Sequence, residues 1–181
     1  MMANRSPNCR FACSAIALLI FVAPAAGLAA PAGEVTHVSG ALMVRKADGA
    51  SKILAPKSTV ESGDLLATAG DTYARVKFTD GGEITLRPNT QLRIESFTFE
   101  QNESGKDSAI FRLLKGGLRT ITGLVGKRKP DSYEMRTTTA TIGIRGTNYG
   151  LLLCQGDCQN QRTSEGQTPS DGLHVDVAEG I

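Results

Sequence analysis

Apolar and polar residues alternate along most of the chain after Gly33, in short runs that turn residues separate. The clearest run is residues 74–79, ARVKFT, in which Ala, Val and Phe alternate with Arg, Lys and Thr. Alternation at period two places successive side chains on opposite faces of a strand, so this run predicts a strand with one buried and one wet face. No stretch after residue 30 repeats apolar residues at helical spacing. The pattern therefore predicts an all-β domain.

Turn residues divide these runs. Asp48-Gly49 follows an alternating run and predicts a hairpin, and Asp80-Gly81-Gly82 reverses the chain after the run at 74–79. Pro88-Asn89-Thr90 supplies another turn before the alternation resumes at 91–95. We read residues 101–108, 123–131 and 159–172 as polar loops.

Short strands joined by such turns predict an antiparallel β-sandwich or rolled barrel from about Gly33 to the end. The alternative is a short β-helix-like stack, because a glycine precedes hydrophobic residues at Gly33, Gly40 and Gly117. The spacing of these glycines is irregular and does not establish a repeat.

The first 29 residues have the pattern of a secretory signal peptide. Arg5 and Arg10 give a basic start, residues 15–22 form a short apolar core, and Gly27-Leu28-Ala29 offers small residues for cleavage. A retained transmembrane anchor is the rival interpretation, but Pro24 and Gly27 interrupt the uncharged run, so we expect no stable membrane span after cleavage. We expect domain boundaries at 1–29 for the signal and 33–181 for the β domain.

The net charge of the mature chain argues against binding to nucleic acid or to a membrane surface. Removing residues 1–29 takes Arg5 and Arg10 from the 20 basic residues and nothing from the 18 acidic ones, which leaves 18 of each. A neutral mature chain has no bulk charge to attract nucleic acid or a membrane surface.

The mature chain keeps two cysteines, Cys154 and Cys158, with Gly156 and Asp157 between them. In an oxidising compartment this spacing predicts a disulfide that closes a tight loop. The alternative is a metal site that uses both thiols and His174, but no fourth ligand is evident. We therefore predict a disulfide and no metal or cofactor.

Catalytic chemistry has little support in the sequence. His37 and His174 are the two histidines of the chain, and they fall on separate predicted strands. Turn chemistry explains Asp64, Asp71 and Asp80. The basic run 127–129 on a loop is typical of a solvated tip. We expect no catalytic residues and no enzymatic activity.

The segment from Met135 to Gly150, MRTTTATIGIRGTNYG, reads as one extended, β-branched strand punctuated by glycines at which another backbone approaches or the chain kinks. Its order of residues resembles the signature of the FecR domain family. The matching positions are Arg136, Thr137, Ala140, Thr141, Gly143, Arg145, Gly146 and Thr147.

Upstream pieces follow in the order that such domains show, so the resemblance extends over residues 33–150. The pieces are Gly63–Thr68, Ala74–Phe78, Asp80–Gly82, Ile84–Thr90 and Leu113–Arg119. One position departs from the family pattern, because Thr138 stands where a proline is expected.

The resemblance implies a periplasmic or secreted protein of a Gram-negative bacterium. The family's namesake senses ferric dicitrate uptake and controls a sigma factor from a cytoplasmic region. Only about a dozen residues precede the apolar core here, too few for a folded cytoplasmic region, so we do not expect this chain to control a sigma factor. We expect a partner in the envelope or outer membrane, of unknown identity. Between Gly143 and Gly146, Arg145 suits a carboxylate ligand or an internal acid.

Three functions remain open. The first is a non-enzymatic interaction or scaffold module of the envelope. The second is a periplasmic domain that senses a ligand or iron signal together with a transporter or regulator. The third is an accessory module of an enzyme encoded beyond the C-terminus, because residues 173–181 alternate as a strand that stops just after a glycine and suggest a truncated chain with an open edge.

Overall fold

The computed structural model describes residues 30–143, 146–162 and 166–180, and the signal segment 1–29 lies outside them. Within those ranges the chain forms thirteen strands of one curled sheet, an antiparallel half-barrel. The prediction of an antiparallel all-β domain is confirmed. The strands are β1 (Pro31–Val38), β2 (Leu42–Arg45), β3 (Ser51–Leu54), β4 (Thr59–Glu61), β5 (Leu65–Thr68), β6 (Ala74–Phe78), β7 (Glu83–Leu86), β8 (Gln91–Thr98), β9 (Ser108–Ile121), β10 (Tyr133–Arg136), β11 (Thr141–Gly143), β12 (Gly146–Cys154) and β13 (Gly172–Gly180).

Strand β9 joins two parts of the sheet. Residues 108–115 pair with β8 and, in the one parallel ladder among the described strands, with β10. Residues 116–121 pair with β7 and β12. We call the part built from β2, β3, β5, β8, β10, β11 and residues 108–115 the first half-sheet. The second half-sheet is built from β1, β4, β6, β7, β12, β13 and residues 116–121.

The chain changes direction between the half-sheets at Gly116, whose φ of 79° suits glycine. A Cβ there would lie 2.7 Å from the carbonyl oxygen of Asn89 and from Cα of Thr90. The Thr90 hydroxyl donates to the carbonyl of Gly117 at 2.8 Å and accepts the Gly117 N–H at 3.0 Å. These contacts fix the corner of β9.

Both half-sheets contribute to one hydrophobic core. Four aromatic rings, Phe78, Phe97, Phe111 and Tyr133, form a chain of contacts with centroid separations from 5.0 to 6.3 Å. Strand β6 shows the predicted alternation, with Ala74, Val76 and Phe78 buried and the residues between them exposed. The hairpins at residues 46–50 and 79–82 also form as predicted.

Two sequence predictions are wrong. Residues 135–150 form no single strand, because the chain reverses between β10 and β11 and then begins β12. Residues 123–131, predicted as a loop, contain the short helix α1 (Leu124–Arg128), in which Val125 is fully buried. Five residues are too few to show helical periodicity. Single-turn 3-10 helices occupy Ser104–Lys106 and Pro130–Ser132.

A bulge modifies the predicted pattern of β1. The register of β1 on β6 shifts between Val35 and His37, and Thr36 and His37 are consecutively exposed. The extra residue turns His37 to the face directed away from the core, where it pairs with Arg75.

Candidate functional site

Five signature residues lie together in the β10–β11 hairpin: Arg136, Thr137, Ala140, Thr141 and Gly143. Gly146 and Thr147 begin β12, and Arg145 lies outside the described residues. A Cβ at Gly143 would meet no atom within 4 Å, so the expected close approach of another backbone does not occur at this position.

Thr137 holds the turn of this hairpin. Its buried hydroxyl accepts the backbone N–H groups of Thr139 at 3.2 Å and Ala140 at 3.0 Å, and it is 3.1 Å from the carbonyl of Ala140. A threonine hydroxyl that accepts the N–H groups of the residues two and three positions ahead stabilises a tight turn. The sequence prediction of an uninterrupted strand missed this side-chain-to-backbone chemistry.

Arg136 belongs to an ion network on the outer face of the first half-sheet. Its guanidinium contacts Glu134 at 2.6 Å and Glu95 at 2.9 Å, and Glu95 also pairs with Arg112. The hydrogen bond from Arg112, and then that from Arg136, lower the pKa of the Glu95 carboxyl. This signature arginine is thus engaged by acids of its own sheet.

The two cysteines form the disulfide that their spacing predicts, with Cα atoms 5.4 Å apart. As a disulfide they cannot act as thiolate metal ligands. The loop that the disulfide closes is held at both sides, because Asp157 pairs with Lys115 of β9 at 3.2 Å and the Gly156 N–H donates at 2.6 Å to Asp171, which directly precedes β13. Backbone and Lys115 hydrogen bonds lower the pKa of Asp157.

The other residues considered for chemistry have local structural contacts. The Asp64 carboxylate accepts the Glu61 N–H at 2.9 Å and pairs with Lys46 at 2.9 Å. Asp80 accepts the N–H groups of Gly82 at 2.9 Å and Val125 at 3.2 Å. The contacts with the N–H groups of Glu61 and Gly82 are the turn chemistry that the sequence predicts. The contacts with Lys46 and Val125 join distant parts of the chain, which the sequence did not indicate.

His174 and the basic run 127–129 also have local contacts. Nε2 of His174 lies 2.8 Å from the carbonyl of Ser170. In the basic run, Arg128 donates to the carbonyl of Gln101 at 3.0 Å and stacks over Phe99. Lys129 donates to the carbonyl of Gly105 at 3.4 Å.

The most distinctive surface is the outer edge of β13. Among the described strands, β3, β4, β11 and β13 each have one neighbour and therefore one open edge. β3 has four residues, and β4 and β11 have three each, whereas β13 has nine. Short edge strands offer little backbone for pairing, so β13 is the edge best able to accept another strand.

Two exposed valines accompany this open edge. Val175 and Val177 are 50% and 52% exposed, although their cross-strand partners Leu151 and Tyr149 are buried. Val175 and Val177 thus lie on the core-facing side of the sheet, but no other part of the described chain covers them fully. An open edge next to uncovered apolar side chains suits the addition of an extended segment. The sequence predicted the strand and its edge, but the exposure of the valines depends on the packing around them.

No helix in the described part of the chain has the length and apolar character needed to cross a membrane.

Comparison with known proteins gives one family. The family described as "FecR protein" matches residues 64–180, a range that starts later and ends later than the resemblance seen in the sequence. No curated protein matches the chain. A solved "Cell surface anchoring domain" is 19% identical and aligns with 34% of this chain and 82% of its own, with a TM-score of 0.33. A TM-score this low does not establish a shared fold.

The family match includes β5 to β13, and thus the corner of β9, the signature hairpin and the edge strand. Because it covers well over half of the chain, this protein belongs to the FecR family.

Proposed function

We propose that this chain is an exported, non-enzymatic interaction module of the envelope of a Gram-negative bacterium, with residues 1–29 removed as a signal peptide. The observation that carries the proposal is the nine-residue open edge of β13 with Val175 and Val177 exposed beside it. Membership of the FecR family and the Cys154–Cys158 disulfide, a feature of oxidising compartments, support an envelope location.

The partner in this proposal is an envelope protein that supplies an extended segment. Its backbone would continue the ladder of β13, and its alternate apolar side chains would cover Val175 and Val177. Main-chain hydrogen bonds would supply affinity, and the fit of these apolar side chains would supply selectivity.

Capture from an envelope extract with matched variants tests the proposal. The full chain, tagged and exported under oxidising conditions, is compared with Val177→Lys, which places a charge beside the edge. Ile53→Lys is the control, because Ile53 is 72% exposed on the short edge strand β3. We expect a partner that the wild type and Ile53→Lys retain and Val177→Lys loses. Equal capture by both variants would place the interface elsewhere.

A further inference from the structure

A cleft of about 720 Å³ lies on the face of the second half-sheet that points away from the core. Strands β6, β7, β9, β12 and β13 form its floor, and Arg162 and Pro169 of the loop after the disulfide line one side. This face is opposite to the one that carries Val175 and Val177, because side chains alternate across a strand. The cleft and the proposed interaction surface nevertheless share strand β13, and Val175 is among the residues that line the cleft.

One row of directly paired residues crosses the floor. Because paired residues of neighbouring strands share a face, their side chains project on the same side of the sheet. Two small residues in the row, Thr85 and Gly150, leave room between the longer ones, and a Cβ at Gly150 would meet no atom closer than 3.7 Å. On the floor the row runs Arg75, Thr85, Arg119, Gly150 and Asp176, and His37 of β1 continues it beyond the lining of the cleft.

Four arginines line the cleft, and none forms an ion pair with any residue that the structure describes. Arg75 has no hydrogen-bond partner for its guanidinium in the same set, and Arg119 donates to the neutral amide of Asn148 at 3.0 Å. Arg87 donates to the amide oxygen of Gln161 at 2.6 Å. Arg162 donates to the carbonyls of residues 159 and 161 and to the Thr168 hydroxyl.

The neighbouring row of the same sheet is different. Lys77 pairs across the ladder with Glu34 on one side and Glu83 on the other, so acids accompany that positive charge. The row through Arg75 and Arg119 contains one carboxylate, Asp176, which lies two strands away from Arg119. Asp176 is also the one carboxylate among the described residues that line the cleft. Among its described lining residues the cleft thus has four arginines and one carboxylate.

We propose that this cleft binds a small multivalent oxyanion, whose carboxylate or phosphate groups contact Arg75 and Arg119 together. A guanidinium binds either group through two parallel hydrogen bonds. The two arginines lie on strands separated by one other strand, which places their backbones roughly 10 Å apart. A ligand with two or more anionic groups can span this separation and give each guanidinium a group of its own. The volume lies within the range of small-ligand sites.

Isothermal titration of the full exported chain at low ionic strength tests this proposal. The probes are tricarballylate, a tricarboxylate, and inorganic tripolyphosphate, with acetate as the monovalent comparison. We expect both polyanions, or one of them, to bind more tightly than acetate. The tighter of the two identifies whether carboxylate or phosphate is the preferred group.

Variants locate the site. Arg75→Ala and Arg119→Ala should each weaken binding by about tenfold or more, as loss of a hydrogen-bonded charge does. Asp176→Asn should strengthen binding of the anion, because it removes the carboxylate of the cleft lining. If the arginines served only the fold, this substitution would not change the affinity for the anion. Lys77→Ala, one row away on the same face, should leave affinity unchanged.

Thermal unfolding of each variant confirms that the exposed substitutions leave the fold intact. Three results would overturn the proposal: no binding of either polyanion to the wild type, acetate binding as tightly as both, or equal losses in Lys77→Ala and Arg119→Ala. The three deciding variants, Arg75→Ala, Arg119→Ala and Lys77→Ala, lie on β6 and β9, so a failure of this proposal leaves the interaction proposal for β13 standing.

Discussion

Glu95 links strands β8, β9 and β10 through its contacts with Arg112 and Arg136, the second of which is a signature residue of the family. Those contacts hold the pKa of its carboxyl below the ordinary value, first through the Arg112 hydrogen bond. A carboxyl with a depressed pKa in the folded state stabilises the fold above its unfolded pKa. That contribution is lost as the pH falls through the folded pKa.

We expect Glu95→Gln to lower the free energy of unfolding by about 1 kcal/mol at pH 7, a magnitude typical of partly exposed ion pairs. The difference from the wild type should shrink as the pH falls below the ordinary range of carboxyls, about 4. Urea unfolding from pH 7 to pH 3 measures it. Glu100→Gln, at an exposed position, is the control. A loss of stability in Glu95→Gln that is as large at pH 3 as at pH 7 would contradict this account.

Thr138 occupies the first central position of the turn that Thr137 holds, and no positive φ occurs there. Proline suits this position, where the family pattern also has one. We expect Thr138→Pro to raise the free energy of unfolding by about 0.5–1 kcal/mol, because it restricts the unfolded chain. Thr139→Pro should instead destabilise the fold, because it removes an N–H that donates to Thr137. The midpoints of urea unfolding measure both changes. If Thr138→Pro were less stable than the wild type, Thr138 would not occupy the first central position of this turn.

At the scale of elements, the corner of β9 decides how the two half-sheets meet. Gly116→Ala should lower the free energy of unfolding by more than about 2 kcal/mol, since it combines a left-handed φ with collision against backbone atoms of residues 89 and 90. Gly49→Ala is the matched control: φ is 89° and a Cβ there meets nothing within 4 Å. Its cost should be about 1 kcal/mol. Equal costs in thermal or urea unfolding would mean that the corner is not tightly packed.

Local sequence was sufficient for some elements and not for others. The β6–β7 hairpin is encoded by strict alternation on both sides of Asp80-Gly81-Gly82, so it could be predicted. The reversal at residues 137–140 contains neither glycine nor proline, and it depends on the Thr137 hydroxyl. Helix α1 could not be predicted from local sequence either. Its first turn is held by contacts with the distant Asp80, and the helix is too short to show a periodic pattern of its own.

At the scale of the whole molecule, the second half-sheet presents two different surfaces. The row through Arg75 and Arg119 is assembled from six strands, so no local pattern in the sequence could predict it. The edge of β13 could be predicted as an alternating strand, but the exposure of its valines depends on where the shared core ends. Family membership and the disulfide were predictable because short residue patterns carry both.

The central claim is that an extended segment of an envelope partner pairs with β13. Site-specific photo-crosslinking in cells tests it most directly, with a photoreactive residue at Val177 of the full exported chain and, as a control, at Ile53. We predict a crosslink from position 177 to another polypeptide that position 53 does not give and that Val175→Lys abolishes. Crosslinks from position 177 confined to its own chain, or none at all, would contradict the claim.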